Sequence, residues 1–131
     1  MASLEDKFAA ACEIVKRLPS SGRKPASNKL RHNVQGLITV SSESKMQFYS
    51  LYKQATIGNV NVERPGFLHI TERKKWDSWK DLEGISQEEA KQRYVFHLID
   101  MINKVAREVD LEAWLEVADP VIKENLEVLR S

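Results

Sequence analysis

Two tyrosines and a lysine stand close together in the sequence, at Tyr49, Tyr52 and Lys53. Residues three and four positions apart lie on one face of a helix, so the two phenol rings and the ammonium group would share a surface. Such a surface suits an aromatic base that carries a phosphate, because the rings offer stacking and the lysine donates a charge-assisted hydrogen bond. The same spacing also fits two half-buried packing tyrosines beside a solvated lysine. The spacing alone leaves both interpretations open.

A second candidate group lies at 74–79, where two lysines precede Trp76 and Trp79. The tryptophans are three positions apart, and we expect both to pack into the core. Lys75 projects from a different side of the helix and could reach a cleft that faces the second helix. A lysine in this setting is more commonly a solvated surface residue, so Lys75 does not establish a site by itself.

Residues for catalysis or metal binding form no recognisable set. The sequence contains no G-x-S-x-G nucleophile motif, no P-loop and no dinucleotide-binding fingerprint. His32, His69 and His97 are far apart and show no metal-ligand spacing with each other or with Cys12. Cys12 lies on an apolar helical stripe, where we expect a small buried hydrophobe. We therefore predict a protein that is not an enzyme and that holds no metal or cofactor.

Length and composition favour a single small globular domain. The chain has 131 residues, of which 42% are hydrophobic and 30% charged, and its formal net charge is +1. This near balance of charge gives no indication of nucleic-acid binding. No apolar run is long enough for a membrane span or a signal peptide, and a single cysteine fits a reducing compartment. We predict a cytoplasmic protein and expect it to be a monomer.

Apolar residues recur at helical spacing and predict an all-α fold with a C-terminal helical extension. The predicted helices cover 4–18, about 42–57, 71–83, a long segment after Ser86, a segment after Asp110, and 120–129. The expected capping residues are Ser3, Thr71, Ser86 and Asp119 at helix N-termini, with Gly58 and Gly84 at C-termini.

A long loop at 19–41 separates the first two helices. It contains no acidic residue, and its basic residues with one histidine are Arg23, Lys24, Lys29, Arg31 and His32. Its segment 34–40 is mildly β-prone but too short and unpartnered for a strand. A connection of this length is either functional or disordered. We assign 1–109, including this insertion, to one domain and 110–131 to the extension, which we expect to pack back through Trp114 and Leu115.

Three motifs together resemble those of the acyl-CoA-binding protein family. They are Y-x-x-Y-K-Q-A-T at 49–56, R-P-G at 64–66 and K-W-D-x-W at 75–79. Their joint occurrence in this order is highly specific, and the resemblance covers about 4–104 apart from the long loop. Further positions that look matched are Phe8, Ala11, Val15 and Lys16 in the first helix and Ala90 and Tyr94 in the fourth.

The resemblance implies an up-down-down-up bundle of four helices with an open, bowl-like site for a fatty acyl-CoA ester. By family analogy, Tyr49 and Lys53 would meet the 3′-phosphate of coenzyme A, and Lys75 would complete that polar end. Tyr52 would pack against the adenine, and a groove formed by the first three helices would cover the acyl chain. The residues expected at the rim of the site are Lys16 and Tyr94.

The function that the resemblance implies is non-catalytic binding, buffering and transport of medium- to long-chain fatty acyl-CoA esters. An alternative of another class is an interaction module, in which the basic loop and the tail recruit a membrane surface or a protein and acyl-CoA regulates the contact. Such a module would be the soluble domain of a longer family member, including peroxisomal ones. Transient contact with acyl-CoA-using enzymes is expected in either case, whereas a thioesterase is disfavoured because no catalytic set is present.

The sequence departs from the family pattern in four places. Lys45 stands where an apolar residue near the acyl chain is common, which leaves the chain-length preference open. Asn59 replaces a common Asp, and we expect this change to affect only a turn. The loop at 19–41 is much longer than the usual linker, and the tail from Asp110 continues past the minimal family domain.

Deletion of Gly22–Val34 tests whether the basic loop belongs to the binding site. We expect the affinity for a long-chain acyl-CoA to stay within a few-fold, because the loop is interpreted as a solvated insertion. Calorimetric titration of parent and deletion variant at equal salt measures the difference. A much larger loss of affinity would place the loop in the site.

Overall fold

The computed structural model describes residues 1–20, 38–107 and 110–131, and these residues form six helices. The helices are α1 (Leu4–Arg17), α2 (Ser42–Thr56), α3 (Ile70–Lys80), α4 (Gln87–Ala106), α5 (Leu111–Val117) and α6 (Pro120–Arg130). No strand occurs in these three ranges, and the predicted all-α fold class is confirmed. The charged part of the long loop, 23–32, lies outside the described residues, as do residues 108–109.

Helix α1 begins and ends as its sequence predicts. The Ser3 hydroxyl accepts a hydrogen bond from the Asp6 amide at 3.1 Å, and the Asp6 carboxylate accepts one from the Ser3 amide at 3.4 Å. This reciprocal pair satisfies two of the amides that a helix start leaves open. Cys12 lies at the edge of the apolar face and is half-buried rather than fully buried as expected. The buried residues of that face are Phe8, Ala10, Ala11 and Ile14.

The two ends of the long loop are held together. The Val40 amide donates a hydrogen bond to the Pro19 carbonyl at 2.9 Å, and Ser20 and Val40 form an isolated parallel bridge. Ile38 and Val40 are fully buried. The β-prone pattern at 34–40 therefore supplies a buried anchor at its C-terminal end, while its residues 34–37 lie outside the described residues.

The chain divides into two compact units. One consists of Met1–Ser41 with Val95–Ser131, and the other of Ser42–Tyr94. Helix α4 contributes residues to both units. The tail at 110–131, expected as a separate extension, belongs to the same unit as α1.

Helix α6 packs against α1 within the first unit. Its start is defined by Asp119, whose carboxylate accepts from the Val121 amide at 2.9 Å, and by Pro120 in the first turn. The same Asp119 carboxylate binds the Arg17 guanidinium of α1 at 2.9 Å. The expectation that the tail packs back is confirmed, because its apolar side chains are buried: Trp114, Leu115, Ile122, Leu126 and Leu129.

Helices α2 and α3 pack against each other in the second unit. Gly58 and Gly84 have φ angles of 101° and 95°, a left-handed conformation that favours glycine. Gly58 follows the end of α2 as predicted, whereas the prediction that Gly84 ends the third helix is wrong, because α3 already ends at Lys80 and Gly84 lies in the turn after it. The prediction that Thr71 caps the third helix is wrong. The N-cap is His69, two residues earlier, because the His69 carbonyl already accepts from the Arg73 amide at 2.9 Å and a turn closed by Gly66 leads into the helix.

No helix in the described ranges is long and apolar enough to cross a membrane. The longest, α4, has 20 residues, and charged side chains interrupt it along its length.

Substitution of Leu126 tests the packing of α6 on α1. We expect Leu126→Ala to lower the free energy of unfolding by about 2–5 kcal/mol, because it leaves a cavity under a buried side chain. Urea denaturation followed by circular dichroism measures the change. Lys123→Ala on the exposed side of α6 is the matched control and should change it by less than about 0.5 kcal/mol. Equal effects of the two substitutions would show that α6 does not pack on α1 in solution.

Candidate functional site

Two ammonium groups lie beside the ring of Tyr49 in the second unit. Lys53, one turn further along α2, places its Nζ 5.9 Å from the ring centroid, and Lys75 of α3 places its Nζ 5.3 Å from it. Both distances are within the range of a cation–π interaction. The structure therefore brings together the three residues that the family resemblance assigns to one polar end. We call Tyr49, Lys53 and Lys75 the phenol–ammonium cluster.

The buried face of α2 positions this cluster. Phe48, Leu51 and Ala55 are buried, which turns the neighbouring face with Tyr49 and Lys53 away from the core. Beneath Lys53 lies Trp79 of α3, whose ring centroid is 5.7 Å from the Lys53 Nζ.

Trp79 is fixed in turn by its own hydrogen bond. The indole Nε1 donates to the Gly58 carbonyl at 2.8 Å, and the side chain is buried, as predicted. A rigid aromatic surface therefore underlies the Lys53 side chain and limits the positions that its ammonium group can occupy.

The cluster carries more positive than negative charge. Within the described residues Lys53 forms no ion pair, and Lys75 contacts the Glu72 carboxylate only at 4.0 Å. Burial raises the pKa of the Tyr49 phenol, and the negative charge of Glu72 raises it further. The phenol is thus protonated at neutral pH and can donate a hydrogen bond. Two ammonium groups and one hydroxyl donor form an arrangement that can bind an anion.

Tyr52 lies on the same helix, three residues after Tyr49, and is 45% exposed. Its backbone carbonyl accepts a hydrogen bond from the Thr56 hydroxyl at 2.7 Å. The exposed ring offers a flat apolar surface on which a planar group can stack.

Tyr94 differs from the expectation that it lies at an exposed rim. Its side chain is only 4% exposed and packs on Phe48, with the ring centroids 4.9 Å apart and the planes tilted by 56°. The position falls on the inner side of α4, four residues after the buried Ala90, so helical periodicity directs it into the core. A role of Tyr94 in binding stays a prediction.

Lys16 belongs to the other compact unit. Its side chain is exposed, and its ammonium group contacts the Glu13 carboxylate at 3.1 Å. The role expected for Lys16 at the rim of the site also stays a prediction.

A buried amide network, which no sequence pattern indicated, fixes the end of α2. The buried Gln54 donates to the Asn59 carboxamide oxygen at 2.9 Å and to the Ile85 carbonyl at 2.7 Å. The same Asn59 oxygen accepts from the Gly84 amide at 2.9 Å. Asn59 thereby joins the end of α2 to the turn after α3, and the expectation that its replacement of a common Asp affects only a turn stays a prediction. The carboxylate of an aspartate could accept both hydrogen bonds as well, so asparagine and aspartate can fill the same structural role at this position.

A bidentate ion pair fixes the segment that precedes α3. The Arg64 guanidinium donates to both carboxylate oxygens of Asp77, at 2.9 and 2.8 Å. The Trp76 indole donates to the Val62 carbonyl at 2.8 Å, and its side chain is half-buried. The prediction that both tryptophans pack into the core is therefore correct for Trp79 and wrong for Trp76. The indole N–H of Trp76 instead donates a hydrogen bond to a carbonyl of the loop before α3.

Other regions fit an anion less well. A groove of about 550 Å³ along α1 and α6 is lined by carboxylates, which repel phosphate: Asp6, Glu13, Glu124 and Glu127. Across residues 1–20, 38–107 and 110–131, no three His, Cys, Asp or Glu side chains are grouped so that they could hold a metal ion.

Residues 5–98 match the family model described as "Acyl CoA binding protein". Acyl-CoA-binding protein homolog 3 of Caenorhabditis elegans is 51% identical over 127 residues, which cover 97% of each chain. That length includes most of both the long loop and the tail. Acyl-CoA-binding domain-containing protein 1 of Oryza sativa subsp. japonica is 36% identical over 103 residues, which cover 79% of this chain and 93% of its own.

Solved structures resemble the chain as well. The crystal structure of ACBP from Moniliophthora perniciosa matches with a TM-score of 0.69 and 31% identity, covering 100% of both chains. Acyl-CoA-binding protein 2 of Oryza sativa matches with a TM-score of 0.65 and 31% identity, covering 82% of this chain and 100% of its own.

The Arg64–Asp77 pair predicts a pH-dependent contribution to stability. Its hydrogen bond holds the pKa of the Asp77 carboxyl below the usual value. Since the folded-state pKa is below that of the unfolded chain, the pair stabilises the folded protein above about pH 4 and loses this effect as the pH falls through the folded-state pKa. Asp77→Asn should therefore lower the melting temperature at pH 7, and the difference from the parent should shrink in acid.

Thermal unfolding followed by circular dichroism at several pH values measures this difference. Asp81→Asn, an exposed carboxylate at the end of α3, is the matched control. A melting-temperature difference for Asp77→Asn that stays constant down to pH 2, about two units below an ordinary aspartate pKa, would contradict the assignment.

Proposed function

Because the chain belongs to the acyl-CoA-binding protein family, we propose that it binds fatty acyl-CoA esters without reacting with them. The observation that carries the proposal is the phenol–ammonium cluster, in which two helices bring two lysines to one tyrosine ring. This arrangement falls on the residues that the family motifs match. In the proposed complex, the cluster holds the 3′-phosphate of coenzyme A.

The charge and geometry of the cluster support phosphate binding. A phosphate monoester carries between one and two negative charges at neutral pH and offers three acceptor oxygens. Lys53 and Lys75 supply charge-assisted hydrogen bonds from two different helices, and the protonated Tyr49 phenol supplies a third donor. Because the lysines lie against aromatic rings, little side-chain freedom is lost when the anion binds.

Tyr52 is the proposed contact for the adenine. Its exposed ring is on the same helix as Tyr49 and Lys53, within one turn of the phosphate-binding residues. Stacking of a base on an aromatic side chain contributes about 1–3 kcal/mol. In this scheme the phosphate fixes the position of the nucleotide and the base adds affinity.

The acyl chain adds a hydrophobic contribution that grows with its length, by about 0.8 kcal/mol for each buried CH₂. Binding of this kind needs no nucleophile or base, and it suits a protein that buffers and transports medium- to long-chain esters in the cytoplasm. Lys16 and Tyr94 complete the proposed set of binding residues at the positions matched by the family pattern. We propose that the protein acts as a monomer and delivers its ligand by transient contact with enzymes that use acyl-CoA.

Adjacent lysines on α3 give a matched test of the phosphate site. Lys75→Ala and Lys53→Ala should each weaken binding of a long-chain acyl-CoA about 10- to 150-fold, because each removes a charged hydrogen-bond donor worth about 1.5–3 kcal/mol. Lys74→Ala removes the same charge from the neighbouring position, which lies on another side of α3, and should change the affinity less than about twofold. Isothermal titration calorimetry measures all three.

Helicity must be unchanged in each variant, which far-ultraviolet circular dichroism verifies. Tyr52→Ala should also weaken binding, by the stacking contribution. Parental affinity in both Lys53→Ala and Lys75→Ala would show that the phosphate binds elsewhere. Release of free thiol from the ester by the parent protein would contradict the non-catalytic role.

A further inference from the structure

Lys45, near the start of α2, lies on the same face of that helix as the residues proposed to bind the nucleotide. At about 100° per residue, Tyr52 lies roughly 20° from Lys45 around the helix axis in one direction. Tyr49 and Lys53 lie roughly 40° and 80° from it in the other direction. All four side chains therefore fall within an arc of about 100°, and that of Lys45 is exposed.

This arc of α2 carries positive charge only. The one acidic residue of the helix, Glu43, lies roughly 160° around the axis from Lys45. Along the axis, Lys45 precedes Tyr49 by about 6 Å and Lys53 by about 12 Å. A lysine carries its charge on a flexible four-carbon stem, so it can reach a group that lies one helical turn away. Lys45 thus extends the positive charge of the phenol–ammonium cluster towards the start of α2.

The phenol–ammonium cluster accounts for only part of the charge of coenzyme A. The nucleotide carries a 3′-phosphate and a 5′-diphosphate on the same ribose, and a single carbon separates the two carbons that bear them. The spacing of the two anionic groups is therefore similar to the roughly 6 Å that separates Lys45 from Tyr49 along the helix axis. With the 3′-phosphate on the cluster, the diphosphate falls within about one helical turn of it.

We propose that Lys45 binds the 5′-diphosphate of the coenzyme A nucleotide. This inference rests on the proposed function and adds a second anion-binding position to the same site. The ammonium group has three donors, and charge-assisted hydrogen bonds to phosphate oxygens are stronger than neutral ones. Three substituents of the ribose then have partners along α2. The adenine stacks on Tyr52, the 3′-phosphate binds Tyr49 and Lys53, and the diphosphate binds Lys45.

The acyl chain is a poorer partner for Lys45 than the diphosphate. An ammonium group that is covered by hydrocarbon loses its hydration, which costs free energy unless an opposite charge compensates. The diphosphate supplies that opposite charge and can be bound at an exposed position, where Lys45 lies. Lys45 therefore contributes to recognition of the nucleotide rather than of the acyl chain.

Calorimetric titration with two nucleotides that lack the acyl chain tests the proposal. Adenosine 3′-phosphate 5′-diphosphate carries both anionic groups, whereas adenosine 3′-monophosphate carries only the first. Lys45→Ala should weaken binding of the former about tenfold and change binding of the latter less than about twofold. Lys53→Ala should weaken both. Lys45→Arg keeps the charge and should bind the diphosphate nucleotide within about threefold of the parent.

Matched controls and a second ligand separate the possible outcomes. Lys123→Ala removes an exposed charge from α6 and should bind both nucleotides like the parent. The proposal is overturned if Lys45→Ala affects both nucleotides equally, or if the parent binds the diphosphate nucleotide no more tightly than the monophosphate. Unchanged nucleotide binding by Lys45→Met with tighter binding of palmitoyl-CoA would also overturn it and place Lys45 at the acyl chain. Failure of the parent to bind palmitoyl-CoA would instead contradict the proposed function itself.

Discussion

The contact between two lysine ammonium groups and the half-buried ring of Tyr49 is the interaction on which the site depends. Lys53 comes from α2 and Lys75 from α3, so the contact exists only where these helices pack together. Trp79 contributes twice, because its buried ring supports Lys53 while its indole N–H fixes the end of α2. The folding of this unit therefore places two like charges against one ring, an arrangement that becomes favourable when an anion binds to both.

The residues of the site could be predicted because helical geometry is local. Tyr49, Tyr52 and Lys53 share a face by spacing alone, and the apolar residues beside them decide which way that face points. Spacing could not establish that Lys75 reaches Tyr49, since that contact depends on how α3 packs on α2. The family resemblance supplied this pairing, and the distance from the Lys75 Nζ to the Tyr49 ring in the structure agrees with it. The caps at Ser3, Asp119 and Gly58 were predictable for the same local reason.

Long-range hydrogen bonds could not be read from the sequence. The Gln54 amide donates a hydrogen bond to a carbonyl 31 residues away. The Trp76 indole donates one to a loop carbonyl 14 residues away instead of packing into the core. Both side chains combine an apolar body with a polar group, so pattern alone cannot tell whether packing or hydrogen bonding determines their place. The same limit applies to Phe67 and Leu68, two hydrophobic residues in the irregular segment before α3 that follow no helical period. Only the structure shows that they remain exposed.

The most direct test of the central claim compares a long-chain acyl-CoA with its 3′-dephospho analogue by calorimetry. If the phenol–ammonium cluster binds the 3′-phosphate, the parent should bind the dephosphorylated ligand at least about tenfold more weakly, as expected when charged hydrogen bonds are removed. A Lys53→Ala, Lys75→Ala double variant should bind both ligands with nearly equal affinity. An undiminished preference for the phosphorylated ligand in the double variant, or no preference in the parent, would contradict the account.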